Sequence, residues 1–365
     1  MGYCVMQLEL DQEFRAVKCP VFLCRHCKAC RDMVTRKRRY TFAPEPGDIA
    51  QSGEQRTVNP RVSGSIPFIP AILFQSRKKY IVMIDKTQII PASKHELYQA
   101  HGNHIDAIME TKVFLMNYIR TVIQEAKLAK GATTEVKMQD PEPFETKAAS
   151  LSYGDESFGF TVIIAADKEQ KTNLVQTFFP YYFAKKIRVR VETVWVWDNL
   201  LEATVKCSYG EFEFAFFAAD YFARKDAYMP GNEIEICIGA MGMRVEEGDH
   251  GFSFEGQKAV DWLAKLGKEP DYDENGQVMP VHFSTEQLVA FLPSDDKCPD
   301  EASFQSPAGE IRERQFMGID FYETEVIIHR YEDELSVPFV FRKDMVPDAK
   351  KDMPIRGVLW LVGAF

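Results

Sequence analysis

The sequence predicts an α+β protein that is mainly β: a long N-terminal helix followed by two related antiparallel β units, each OB-like or another small β barrel or sandwich. Three observations carry this reading. Apolar residues recur at helical spacing through 104–130, strand-like alternation dominates from residue 158 onward, and residues 184–240 align on 308–364 without a gap.

In chain order, the helix comes first. Ile105, Ile108, Met109, Leu115, Met116, Ile119, Val122, Ile123 and Ala126 form one stripe, with Asn103 as N-cap and Gly131 just past the end. The stripe suits packing on its own domain, or a homodimer seam through 104–130. Residues 131–149 show no apolar period and contain two prolines, so they read as a linker. Strands follow at 158–165, 187–197, 203–207, 211–217 and 233–240, rich in Val, Ile, Phe and Trp. A second helix is expected at 255–266 with Gly267 as its stop, then a turn-rich loop at 270–280 around Asn275-Gly276. Ser284-Thr285-Glu286-Gln287 reads as a capping box opening a short helix to Phe291. Strands return at 319–329, 335–341 and 357–362.

The repeat is an ungapped alignment with ten identities: Ala184/Ala308, Ile187/Ile311, Arg188/Arg312, Arg190/Arg314, Phe217/Phe341, Asp220/Asp344, Met229/Met353, Pro230/Pro354, Gly239/Gly363 and Ala240/Ala364. It sets expected domains of 83–149 (helix plus linker), 150–250 (first β unit), 251–292 (helical connector) and 293–365 (second β unit). Equivalent phenylalanines should be buried, Ile236 and Trp360 should face one core, and Gly239 and Gly363 should sit where a side chain would clash.

Residues 47–72, GDIAQSGEQRTVNPRVSGSIPFIPAI, have another character. Reverse translation lets Gly47-Asp48-Ile49 pair with Phe68-Ile69-Pro70 as an acceptor stem, and Gln55-Arg56-Thr57 pair with Asn59-Pro60-Arg61 around a GTT codon for Val58. Ile49-Ala50-Gln51 and Gly64-Ser65-Ile66-Pro67 can encode the D-arm entry and the T-arm, and Ala71-Ile72 a terminal CCA. The stretch resembles the conceptual translation of a bacterial tRNA-Asn gene. That resemblance implies that 1–82 is spurious translation and that the protein starts at Met83, behind the purine-rich codons of Arg77-Lys78-Lys79.

The chain carries 44 basic and 54 acidic residues, a formal charge of −10. From residue 83 on, 30 basic and 47 acidic residues remain, a balance of −17. So acidic a protein is a poor candidate for unaided nucleic-acid binding, where a basic face supplies most of the affinity. Cys19, Cys24, Cys27 and Cys30 with His26 have the spacing of a zinc knuckle or part of an iron–sulfur pattern. They lie in the segment read as spurious, so no metal and no cofactor is assigned. Cys207, Cys237 and Cys298, odd in number and scattered, suit reduced thiols of a cytoplasmic protein. No signal peptide follows Met83, and no apolar run is long enough to span a membrane.

Candidate sites are few. Arg188 and Arg190 with Arg312 and Arg314 alternate on strand faces and could take an anion or pair with acids. His101 and His104, with Asp106 and Glu110, could be drawn as a metal site at the helix start, although helix starts attract polar residues anyway. Asp220 and Asp344 follow apolar strands, where Asp favours turns. No GxSxG, phosphate-binding loop, HExxH or GxGxxG occurs, and His250, His282 and His329 are far apart in sequence. No catalytic residue is assigned. The leading reading is a cytosolic binding or interaction protein with a protein partner. A hydrolase with its site between the two β units is the alternative, and the tRNA-like stretch adds an accessory defence or counter-defence protein of a mobile element.

Overall fold

The computed structural model describes residues 88–139, 143–167, 172–331 and 334–365. The tRNA-like stretch, the four-cysteine cluster and the preferred start at Met83 lie outside the described residues. The elements are β1 (Gln88–Ile90), α1 (Gly102–Asp106), α2 (111–125), β2 (Lys127–Gln139), β3 (Pro143–Gly154), β4 (Phe158–Asp167), β5 (Thr172–Tyr182), β6 (Lys185–Val196), β7 (Ala203–Tyr209), β8 (Phe212–Ala218), α3 (Tyr221–Arg224), β9 (Glu233–Glu247), β10 (Gly251–Phe254), α4 (Gln257–Lys265), β11 (Val281–Ser284), β12 (Ala290–Asp295), β13 (Cys298–Pro307), β14 (Arg312–Phe316), β15 (Ile319–Arg330), β16 (Glu334–Arg342) and β17 (Pro354–Ala364). No helix among them is long and apolar enough to cross a membrane.

The mainly β character stands, but the long N-terminal helix does not form. Its stripe is divided between α1 and α2, because the Asp106 carboxylate accepts the Thr111 backbone N–H (2.7 Å) and so starts a second helix. The break lets both pieces bury apolar side chains, with Ile105, Ile108, Phe114, Ile119 and Val122 all inaccessible. These residues turn into the chain's own core, whereas Met116 of the expected stripe stays 73% exposed. From Lys127 the backbone is extended, and the expected linker is a meander: β2 pairs β3, β3 pairs β4 and β4 pairs β5, all antiparallel. Ladder formation along Thr133, Thr134 and Val136 outweighs weak local signals here.

Apart from β10 and β11, which pair in a separate sheet, the remaining eleven strands form one sheet. Its order β17-β8-β7-β6-β9 closes on itself because β17 also pairs β9 antiparallel from Cys237↔Ala364 to Glu247↔Ile355, giving a five-stranded barrel. On the other side β9 pairs β16 and β17 pairs β13. There β13 approaches β15 through Gly309 N–H to the Glu325 carbonyl (3.0 Å) and Ile327 N–H to Ser306 Oγ (2.9 Å). Two separate β units are thus replaced by two rings that share β9 and β17.

This sharing also corrects the repeat. Phe217 and Phe341 are both fully buried, but Phe341 lies with Phe339 in the core that the barrel and β13, β15 and β16 line together, whereas Phe217 faces the layer outside it. Ile236 lies in the barrel core and Trp360 outside it, so the ungapped alignment joins residues on opposite faces. Faces agree instead one residue away, for Ile236 and Ile238 with Leu359 and Leu361, and for Phe216 and Phe217 with Phe339 and Val340. A strand alternates with period 2, so an alignment wrong by one residue exchanges every inside position for an outside one. Asp220 and Asp344 differ likewise: Asp220 is half-buried and accepts Tyr228 Oη–H (2.5 Å) and Phe365 N–H (3.0 Å), while Asp344 is exposed beside Arg342. Burial pushes the Asp220 carboxyl above its usual range.

Both expected glycine clashes are present, since a Cβ on Gly239 would lie 2.4 Å from the Tyr182 carbonyl oxygen and one on Gly363 2.8 Å from the Phe216 ring. The tightest approach is elsewhere: Gly357 has φ +152°, and a Cβ there would lie 1.8 Å from the Arg244 carbonyl oxygen. That position lets β17 cross β9 closely enough for both rings to close.

Between the sheet's outer face and the β2–β5 meander lies a second core, holding Phe158, Phe160, Phe179, Phe217, Phe321, Val340 and Trp360, with α1 and α2 packed into it. Because each phenylalanine belongs to a different core, Phe217→Ala and Phe341→Ala should each cost about 3–5 kcal/mol in urea unfolding, as for other large-to-small core changes. Gly357→Ala should cost about 2–4 kcal/mol from backbone strain and forced separation of the strands.

Candidate functional site

The i,i+3 spacing of His101 and His104 puts both rings on one side of the α1 turn, and the packing of α1 against the sheet carries them into the second core. They are 8% and 4% exposed. His101 Nδ1 lies 3.1 Å from His104 Nδ1. On the far side of each ring Nε2 meets a carboxylate, Glu202 Oε1 at 2.5 Å for His101 and Glu301 Oε1 at 3.0 Å for His104.

The result is a chain of four groups, Glu202–His101–His104–Glu301, threaded through aromatic surroundings. His101 stacks on Trp197 (4.9 Å, 21°) and lies edge-on to Phe217. His104 stacks on Trp360 (3.9 Å, 4°), whose Nε1–H donates to Asp300 Oδ2 at 2.9 Å. Glu202, only 2% exposed, also accepts Thr177 Oγ–H (3.1 Å) and the Asn199 amide N–H. Its oxygens are thus served by three donors, which suits a carboxylate.

Electrostatics follow from burial. Removal from water holds His104 below its ordinary value, although the Glu301 hydrogen bond works the other way. Burial likewise pushes the Asp300 carboxyl up, against the attraction of His104 and the Trp360 hydrogen bond.

The cluster is not the metal site drawn from sequence. Asp106 caps Thr111, and Glu110 is exposed, so neither joins the histidines. Among the described residues no group of three or more His, Cys, Asp or Glu has an arrangement that could hold a metal ion. The carboxylates that do join come from distant strands. A signal for them exists in hindsight: Glu202 interrupts the apolar run Leu200-Leu201-Glu202-Ala203, and Asp300-Glu301 sit at the head of an alternating strand. An acid within a strand's apolar pattern calls for a buried partner.

The four arginines do not converge. Arg188 and Arg190 are exposed on β6, opposite Glu235 and Glu233 of β9, and Arg190 Nε lies 3.7 Å from Glu192. Arg312 and Arg314 are on β14, separated from β6 in the sheet by β9, β16 and β15. Arg312 is exposed. Arg314 sits over the Phe158 ring (5.0 Å) and pairs with Asp155 and Glu323, tying the meander to the sheet. Partial burial works to raise the Asp155 carboxyl, but hydrogen bonds from Ser157, Phe158 and Arg314 prevail and hold it below its usual range.

The distant histidines are also apart. His250 lies between Glu247 (2.7 Å) and Glu286 (3.0 Å), His282 meets Ser253 Oγ (3.1 Å), and His329 stacks on Phe212. No family model matches the chain, and neither a search of curated proteins nor one of solved structures finds a match.

Glu202→Ala would strand three donors, one of them a buried imidazole, so it should cost about 3–5 kcal/mol by urea unfolding. Lys186→Ala, which opens an exposed pair with Glu235, should leave the unfolding midpoint unchanged.

Proposed function

We propose that this protein is a binding module for a protein partner, and that it binds through the excursion between β9 and β12. The observation that carries this reading is how the chain is spent at 248–289. The antiparallel β10–β11 pair and α4 between them build a small aromatic cluster of Phe252, Phe254, Trp262 and Phe283, with contacting ring centroids 5.1–5.8 Å apart. That cluster supports the excursion on its own. The expected helix is present as α4, closed by Gly267 at φ +66°, and the Asn275-Gly276 turn is present too. The capping-box helix is not: Val281–Ser284 pairs with β10, and Ala290–Asp295 is a strand of the main sheet.

Around this support the excursion exposes Leu266 (46%), Tyr272 (59%), Met279 (50%) and Leu288 (39%). Large apolar side chains gathered on a peripheral element favour an interaction surface. Residues 249–288 also carry eight acidic and three basic side chains, so the fitting partner offers a basic rim around apolar sockets.

The chemistry of the buried cluster supports the same reading over the hydrolase. A general base must present a lone pair to substrate. Here all four ring nitrogens of His101 and His104 are engaged inside the protein.

Photo-crosslinkers placed at Leu266 and Met279 in the producing cell should trap one predominant partner, and a crosslinker at exposed Lys186 should not trap it. Leu266→Asp with Met279→Asp should abolish the adduct and change stability by no more than about 0.5 kcal/mol, as for other surface substitutions. Equal trapping at all three positions, or none, overturns the reading.

A further inference from the structure

We propose that His101 and His104 form a one-proton latch: a single proton bridging the two Nδ1 atoms holds α1 against the sheet, and a second proton opens it. The basis is a proton count. The three contacts Glu202–His101, His101–His104 and His104–Glu301 are hydrogen bonds only if each holds one proton. The carboxylates therefore receive Nε2–H from both rings, and one Nδ1–H donates to the other Nδ1 lone pair. The pair carries one positive charge between two acids.

Neither neighbouring protonation state fits. With one proton fewer, two Nδ1 lone pairs face each other at 3.1 Å; with one more, two N–H groups do. The groups that face the rings are Glu202 from the β6–β7 connection and Asp300 and Glu301 from β13. β5 presents Thr177 and Phe179, β8 presents Phe217, and β17 presents Trp360, none of them charged. What excludes the second proton is the Nδ1–Nδ1 contact, which would then hold two N–H groups and no lone pair, and burial disfavours charge on His104 as well.

The sign on the acid side follows. In the opened chain both imidazoles take protons near the ordinary value of 6.5, whereas the closed latch takes only the bridging one. Below that pH the open form binds one proton more, so the closed state loses about tenfold in population per pH unit. On the alkaline side the closed form holds one proton more than the open form, and the closed population declines again. Asp300 acts oppositely in acid, because its raised carboxyl favours the closed form as it protonates. An Asp300→Asn background removes that contribution.

The experiment uses the full chain. Ring ¹⁵N NMR at pH 7 should show both Nε2 protonated and one bridging Nδ1–H. Hydrogen exchange should show the amides of Ile105, Ile108 and Met109, which close the α1 turn, opening about tenfold more per pH unit between 6.5 and 5. His104→Gln can accept the His101 proton and donate to Glu301 without titrating, so it should flatten that slope to less than about twofold per unit. Two unprotonated Nδ1 atoms at pH 7, pH-independent opening, or an unchanged slope in His104→Gln would each overturn the latch. Excess zinc chloride that removed the bridging resonance and raised the melting temperature would do so too, because the nitrogens would then converge on a metal.

Discussion

The fold depends on one pairing, the long antiparallel contact between β9 and β17. Each strand serves both rings, so each is enclosed on two faces for much of its length. From Gly239 to Gly242 and from Leu359 to Ala364 every residue is buried. Strands buried on both sides read as continuous apolar runs rather than alternations. The crossing also demands backbone without a Cβ at the closest approach, which Gly357 supplies against Arg244. Further pairings are anchored to these two strands: β6, β8, β13 and β16 all take their register from them.

Enclosing the sheet's outer face creates the second constraint. The β2–β5 meander and the two short helices cover Phe217, Val340 and Trp360, and polar groups caught in that layer must satisfy one another. His101 and His104 do so across four segments of the chain, with carboxylates at both ends and indole rings above and below. Such a network specifies one arrangement of α1 on the sheet, because any slip leaves a buried donor without an acceptor. It fixes geometry by the same property that makes it proton-sensitive.

The excursion at 248–289 follows different rules. Its aromatic cluster is small, its side chains are mostly exposed, and it touches the main sheet near its ends, where Gly248 N–H reaches the Pro354 carbonyl and Gln305 Nε2–H the Thr285 carbonyl. An element that contributes little to either core is free to carry recognition.

From sequence alone the mainly β class was legible, as were most strands from 158 onward, the α4 helix with its glycine stop, and the burial of Phe217 and Phe341. These follow from local periodicity, which a single segment encodes. The long helix was misread because its stripe says that residues are buried, not that the backbone is continuous; one carboxylate, Asp106, broke it. The repeat was misread for a related reason: identities between segments carry no information about which face each residue takes, and a shift of one residue reverses it. The site was half visible. His101 and His104 could be paired by spacing, but Glu202 and Glu301 lie 101 and 197 residues away, and only closure of the sheet brings them to the rings. Local chemistry named the histidines; their partners, and so their protonation, were decided by the shared strands that place four distant segments around one turn of helix.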